Sequence, residues 1–346
     1  MINRVLFVGL GSAGQRHLRN LRRLYGAEIE VMAYRARKLQ RVFDDRMRII
    51  EGKSLDSEFQ INVFDNYDKA LQSQPDIVFI TNPNSHHMEF AMKAAMAGCN
   101  LFIEKPISTS LKGIDELHHI IAEHNRIAYV GYQNRLHPCI KKAKEILDSG
   151  KLGRIYMVYS ELGEYLPGMH YWENYRDMNE SKREHGGGVV LCQSHELDYL
   201  CYLFGMPREI YAIGGHRSAL EINVEDSATA LCRYLYKGSE CAVNIHLDFL
   251  QTPPTRHCKI AGEFGRFEFD LLRNEYQLFL TDGTAEEKRY DGFERNDMFL
   301  EEMRLFMDAV TNGGNSFVDI LEGKKSLEFA LKIKDAMQTG EIQYFC

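Results

Sequence analysis

The chain has 346 residues, of which 45% are apolar and 26% charged, and a formal net charge of -7. That length suits two domains rather than one, and the balance is that of a globular chain. The acidic charge argues against nucleic acid as the main partner, and no run of about 18 apolar residues exists to cross a membrane as a helix.

Strand-forming residues begin near Val5, so no signal peptide is expected. The eight cysteines include no C-x-x-C pair. Reduced thiols in a cytoplasmic protein are expected, not disulfides or zinc. Val5–Val8 reads as a buried parallel strand. It runs into Gly9-Leu10-Gly11-Ser12-Ala13-Gly14 and then a helix with Leu18, Leu21 and Tyr25 on one face, stopped by Gly26. Strand, G-x-G-x-x-G and helix together are the context a dinucleotide fingerprint requires. The glycines allow the turn, the backbone approach to a pyrophosphate and close helix packing. Arg16, Arg19, Arg22 and Arg23 share helical spacing and read as a solvated face.

A second strand covers Ile29–Tyr34. An NAD site usually places an acid at its end for the ribose hydroxyls. Here Tyr34 and Arg35 stand at that point, with Arg37 and Lys38 beyond. A guanidinium suits a 2′-phosphate, so NADP is expected ahead of NAD. Strands at Ile61–Phe64, Asp76–Thr81, Leu101–Glu104 and Ile127–Tyr132 alternate with helices, which implies a parallel sheet covered on both faces. Ligands bind at the carboxyl ends of such strands. Thr81, Asn82, Pro83, Asn84 and His87 are therefore candidate contacts to the nicotinamide half, with Glu104, Lys105 and Gln133 on the next strand ends. His86 and His87 are adjacent and have no acidic cluster beside them, so no metal is expected. Glu104-Lys105-Pro106 alone would read as a charged strand end, but at this edge Lys105 points towards ligand. Pro106 stiffens the turn, in the cis or trans form.

The pattern changes at Gln133. A helix over Pro138–Ser149 leads to strands at Ile155–Gly163, Glu209–Gly215, Asp226–Leu235, Glu240–Asp248, Arg256–Gly262, Gly265–Asp270, Glu275–Thr281 and Glu287–Tyr290. Lys237-Gly238 and Asp282-Gly283 are hairpin turns. One sheet face is buried. The other carries aromatic and aliphatic residues, which suggests an oligomer contact. Helices over Asn296–Thr311 and Asp319–Gln338 end the chain. The irregular stretch from Tyr165 to Gly188 holds Tyr165, Trp172, Tyr175 and Arg176. Aromatic faces suit sugar rings and arginine suits phosphate or carboxylate. An oligomer contact is the competing reading. A helix over Val189–Phe204 carries Gln193 and His195. Taken alone, His195 is more often a structural histidine than a catalyst.

Taken together, the glycine loop, Thr81 to His87, Glu104-Lys105-Pro106, and Gly186-Gly187-Gly188 through His195 to Asp198 resemble the Gfo/Idh/MocA family, over nearly the whole chain. The resemblance implies an α/β architecture: an N-terminal Rossmann domain over 1–132, and a substrate and oligomerisation domain over 133–346 with a large, mostly antiparallel open sheet. It implies homodimers or homotetramers. It also implies hydride transfer between a nicotinamide and a carbinol or keto carbon of a sugar, sugar nucleotide or polyol, with Lys105 and His195 near the reacting oxygen. Trp172-Glu173-Asn174-Tyr175-Arg176 resembles a branch tied to surface-polysaccharide sugars. Family members commonly carry an aspartate where this chain has Cys192, which weakens a His–Asp relay. Glu196 turns to another helix face, while Asp198 is placed either to reach His195 or to cap a loop. Two rival functions are a silent NAD(P)-binding sensor and a non-redox enzyme with tightly held nicotinamide.

Overall fold

The computed structural model describes residues 2–35, 41–44 and 47–345. Arg37 and Lys38 lie outside the described residues. In chain order the first elements are β1 (Arg4–Val8), α1 (Ser12–Tyr25), β2 (Glu30–Tyr34), α2 (Leu55–Phe59), β3 (Asn62–Phe64), α3 (Tyr67–Gln72), β4 (Ile77–Ile80), α4 (His87–Met96), β5 (Asn100–Glu104), α5 (Ile114–Glu123) and β6 (Ala128–Gly131). Then come α6 (Pro138–Asp148), β7 (Ile155–Gly163), α7 (Leu166–Met169), α8 (Val189–Cys192), α9 (Ser194–Phe204), β8 (Glu209–Gly215), β9 (Ser227–Tyr236), β10 (Ser239–Asp248), β11 (Thr255–Gly262), β12 (Gly265–Asp270), β13 (Glu275–Leu280) and β14 (Ala285–Arg289). The last are α10 (Arg295–Asn312), α11 (Ile320–Thr339) and β15 (Gln343–Tyr344).

The chain divides into two compact units, one of residues 1–133 and 295–324, the other of residues 134–294 and 325–346. The boundary expected at 132/133 is one residue early. The expectation that everything after it forms the second domain needs correction, because α10 belongs to the first unit. The reason is apolar packing. The Phe306 ring meets Phe79, Phe102 and Tyr129 edge-on at 5.8, 5.5 and 6.0 Å. Those three rings stack along β4, β5 and β6, with centroids 5.0 and 5.5 Å apart. Without α10 this ladder of rings would face water.

The first unit's sheet has the order β3-β2-β1-β4-β5-β6, all parallel. Four-residue runs such as Ile77–Ile80 are wholly buried, as strands covered on both faces must be. Connections reverse direction between β1 and β4. The carboxyl ends of these two strands therefore border the crevice where such sheets bind ligand. The second unit's sheet has nine strands in the order β14-β13-β12-β11-β7-β10-β9-β8-β15. All its pairs are antiparallel except β7 with β10. The two hairpin turns form where expected, with Lys237 and Gly238 both at positive φ and Gly283 at φ 92°. Among the described residues no helix is long and apolar enough to cross a membrane, and no cysteine is in a disulfide.

Candidate active site

The first unit offers a dinucleotide mouth. Gly9 takes φ 90°, a conformation that L side chains rarely adopt. A Cβ on Gly14 would stand 2.5 Å from the Gly9 carbonyl oxygen and 2.7 Å from Thr81 Oγ1, so only glycine lets α1 approach β1 this closely. A Cβ on Gly11 would meet nothing within 4 Å. Gly11 N-caps α1 without a side-chain cap, and the first turn carries no acid. The N–H groups at this helix start are thus open to anionic oxygens, with the helix dipole in support. Thr81 Oγ1 donates to the Gly9 carbonyl at 2.7 Å and ties the glycine turn to the end of β4. Asn82 Oδ1 and Ser85 Oγ beside it are buried without a hydrogen-bond partner. A buried, unpaired amide oxygen is costly unless a donor fills the place. The carboxamide of a nicotinamide is such a donor, so the loop fits the group the fold implies.

Leu10 is buried within the glycine loop. Tyr34 and Arg35 are half-buried at the end of β2. The Tyr34 ring packs 5.6 Å from both Tyr67 and Phe90, so it forms part of an aromatic cluster. His87 is different from its expected role. It is fully buried, with Nδ1 2.9 Å from the Pro106 carbonyl and Nε2 2.8 Å from the Asn82 carbonyl. Burial lowers its pKa, partly offset by the two carbonyls and Glu104. The ring joins the turn after β4 to the turn after β5 and has no nitrogen left for a cofactor. Gln133 is also buried.

The Glu104-Lys105-Pro106 turn contains a cis Lys105–Pro106 bond. Lys105 is half-buried at the carboxyl end of β5. Glu104 Oε1 lies 2.6 Å from His17 Nε2, and Glu104 Oε2 accepts the Lys105 backbone N–H at 3.2 Å. Burial alone would raise the Glu104 carboxyl. The His17 hydrogen bond, the charges of His17 and Lys105, and the Lys105 N–H together hold it below the usual carboxylate range. Sequence reasoning missed His17. The signal was present: His17 falls three residues after Gly14 and four before Leu21, on the buried face of α1, where an imidazole needs a partner.

The second unit carries His195. The single helix expected over Val189–Phe204 is two helices, broken at Gln193. Gln193 turns its carboxamide to donate to the Asp248 carbonyl at 3.0 Å, and its Oε1 is buried without a partner. His195 then lies in the first turn of α9, 8% exposed. Asp198, three residues on, is held by other side chains. Arg135 Nε and Nη2 donate to its two oxygens at 2.9 and 2.8 Å, and Ser326 Oγ adds a third bond at 2.8 Å. Glu196 faces elsewhere, as its helical phase requires, and pairs with Arg256. Cys192, at the position where an aspartate is common, ends α8 and is half-buried.

In the stretch from Tyr165 to Gly188, Tyr165 is 44% exposed. Trp172 stacks on His170 at 4.7 Å. Arg176, expected to meet a phosphate or carboxylate, keeps a half-exposed side chain. It is ion-paired to Glu221 and lies over the Tyr175 ring at 4.6 Å. That pairing spans 45 residues of sequence and had no local signal.

The model of the Gfo/Idh/MocA oxidoreductase family, NAD-binding Rossmann fold, matches residues 3–132, and that of the family's C-terminal domain matches residues 140–268. The chain belongs to the Gfo/Idh/MocA family. It is 24% identical to scyllo-inositol 2-dehydrogenase (NAD(+)) of Bacillus subtilis (strain 168), over 97% of this chain and 94% of that protein. Among solved structures it resembles levoglucosan dehydrogenase in complex with NADH and levoglucosan, with TM-score 0.82, 17% identity and 99% of each chain covered. It also resembles the WlbA dehydrogenase from Bordetella pertussis in complex with NADH and UDP-GlcNAcA, with TM-score 0.79, 20% identity, and 100% of this chain and 99% of that chain covered. Family membership makes this chain an oxidoreductase with an NAD(P)-binding Rossmann unit.

Proposed function

We propose that the chain transfers a hydride between a nicotinamide dinucleotide and a carbinol or keto carbon of a sugar, sugar nucleotide or polyol. The observation that carries this reading is Lys105, an ammonium set on the carboxyl edge of the sheet that bears the glycine loop. The named substrates of the three relatives span a polyol, an anhydrosugar and a sugar nucleotide. The backbone of Gly9–Gly14 and the start of α1 would hold the pyrophosphate, and Thr81, Asn82, Pro83 and Asn84 the nicotinamide end. When bound, the nicotinamide supplies the hydride acceptor or donor. Lys105 stabilises negative charge on the reacting oxygen, and His195 gives or takes its proton. Gln193 Oε1 is an acceptor for a substrate hydroxyl, and Trp172 offers a flat apolar face to a sugar ring. Arg35, with no acid at the end of β2, supports NADP ahead of NAD, although the relatives above are named or solved with NAD(H). Exposed Tyr211, Ile213, Leu231 and Leu235 on one sheet face support a homodimer or homotetramer. The cysteine pattern supports a cytoplasmic setting.

The test is NAD(P)H turnover against a panel of sugars, polyols and sugar nucleotides, with Lys105→Ala alongside. Turnover should vanish in the variant while dinucleotide binding, read by fluorescence, persists. Unchanged turnover refutes the role of Lys105. Dinucleotide binding without turnover of any panel member by the native protein would indicate the silent sensor instead.

A further inference from the structure

We propose that His17 is a positioning residue for Lys105, acting through the Glu104 carboxylate. The inference rests on the assignment of Lys105 to the reacting oxygen.

The chain of contacts is short. His17 is wholly buried on α1. Its ring packs 4.6 Å from Phe102 and 5.9 Å from Phe79 and Phe299, so aromatic contacts on three sides fix its plane. Its Nδ1 is buried and makes no hydrogen bond, so a proton there would be stranded away from water. A proton on Nε2 donates to Glu104 Oε1 at 2.6 Å. The other carboxylate oxygen accepts the Lys105 N–H at 3.2 Å. The Lys105 backbone therefore takes its direction from a carboxylate that α1 holds in place.

The same helix starts at the glycine loop. One rigid element thus carries the groups that would hold the dinucleotide phosphates and the group that orients Lys105. A lysine that must meet an oxygen beside the nicotinamide is indexed to the helix that seats the dinucleotide. A misplacement of about 1 Å at such a group costs on the order of 100-fold in rate.

The test uses two replacements of different reach. In His17→Gln the side-chain amide nitrogen stands near the Nε2 position and can donate to Glu104. In His17→Asn the amide stops short. Three quantities are read on the full chain: kcat and KM, dinucleotide affinity by fluorescence without turnover, and hydrogen exchange at the Lys105 amide without cofactor. In His17→Asn, kcat should fall about 10- to 100-fold, with KM and dinucleotide affinity within about 3-fold, and the Lys105 amide should exchange at least about 10-fold faster. His17→Gln should recover most of both losses. Equal behaviour of the two variants, or a joint fall of kcat and dinucleotide affinity, overturns the proposal. The exchange measurement needs no substrate. No turnover in the native protein with faster exchange in His17→Asn would sink the dehydrogenase reading and keep the brace, and unchanged exchange in His17→Asn would sink the brace alone.

Discussion

His137 makes the second unit sensitive to mild acid. It N-caps α6, with Nδ1 accepting the Cys139 N–H at 3.1 Å. Its Nε2 lies 3.1 Å from Asn274 Oδ1, which fixes the neutral tautomer with the proton on Nε2. Burial pushes its pKa from the ordinary 6.5 down to about 4, with the Asn274 bond opposing and the Arg256 charge adding to the fall. The folded value lies below the unfolded one, so the unfolded chain binds the proton first. The stability is complete above pH 6.5 and is lost as pH falls from 6.5 towards 4. At pH 5 the loss relative to pH 7 comes to about 2 kcal/mol. His137→Asn keeps a side-chain acceptor for the helix start and removes the titration. The chain's single tryptophan, Trp172, lies in the same unit, so its fluorescence follows the relevant transition. Unfolding free energies from denaturant curves at pH 7, 6 and 5 should diverge between the two proteins as pH falls, reaching that amount at pH 5, the native protein losing more. Other groups titrate in both and cancel. Parallel free energies across the range would refute the assignment.

Two further outcomes are expected. Asp198→Asn leaves the Arg135 guanidinium, 2% exposed, without its counter-charge, and should cost about 3–5 kcal/mol in denaturant unfolding. A joint replacement of both by apolar residues should recover much of that loss. Arg35→Ala should weaken NADPH binding more than NADH binding by roughly 10-fold, as fits one lost charge-assisted contact of about 1.5–3 kcal/mol. Equal loss for both dinucleotides, by fluorescence titration, would remove the case for NADP.

Local chemistry was legible in the sequence and distant pairing was not. The glycine loop, the alternating strands of the first unit and the eight main strands of the second came through, because each is written in neighbouring residues. β7, β8 and β12 begin and end where the alternation places them. Nothing local says that β7 pairs parallel with β10, since Met157 meets Ala242 from 85 positions away in sequence. Nor could spacing show that Asp198 is committed to Arg135, or Arg176 to Glu221. Each is a polar residue whose partner is chosen by the fold. The break at Gln193 was hidden for a related reason. Val189–Phe204 has helical character throughout, and the break appears only once the Asp248 carbonyl arrives to hold the Gln193 amide.

The return of α10 to the first unit bears on how the protein is made. Synthesis proceeds from the N-terminus, and domains generally fold as units while the chain emerges. Here the dinucleotide half lacks its last helix until residue 312 has been added, after the whole nine-stranded sheet except β15. Until then the rings of Phe79, Phe102 and Tyr129 await Phe306. A fragment cut after residue 133 would expose that ring surface. It should be prone to self-association even though its sheet and glycine loop are complete.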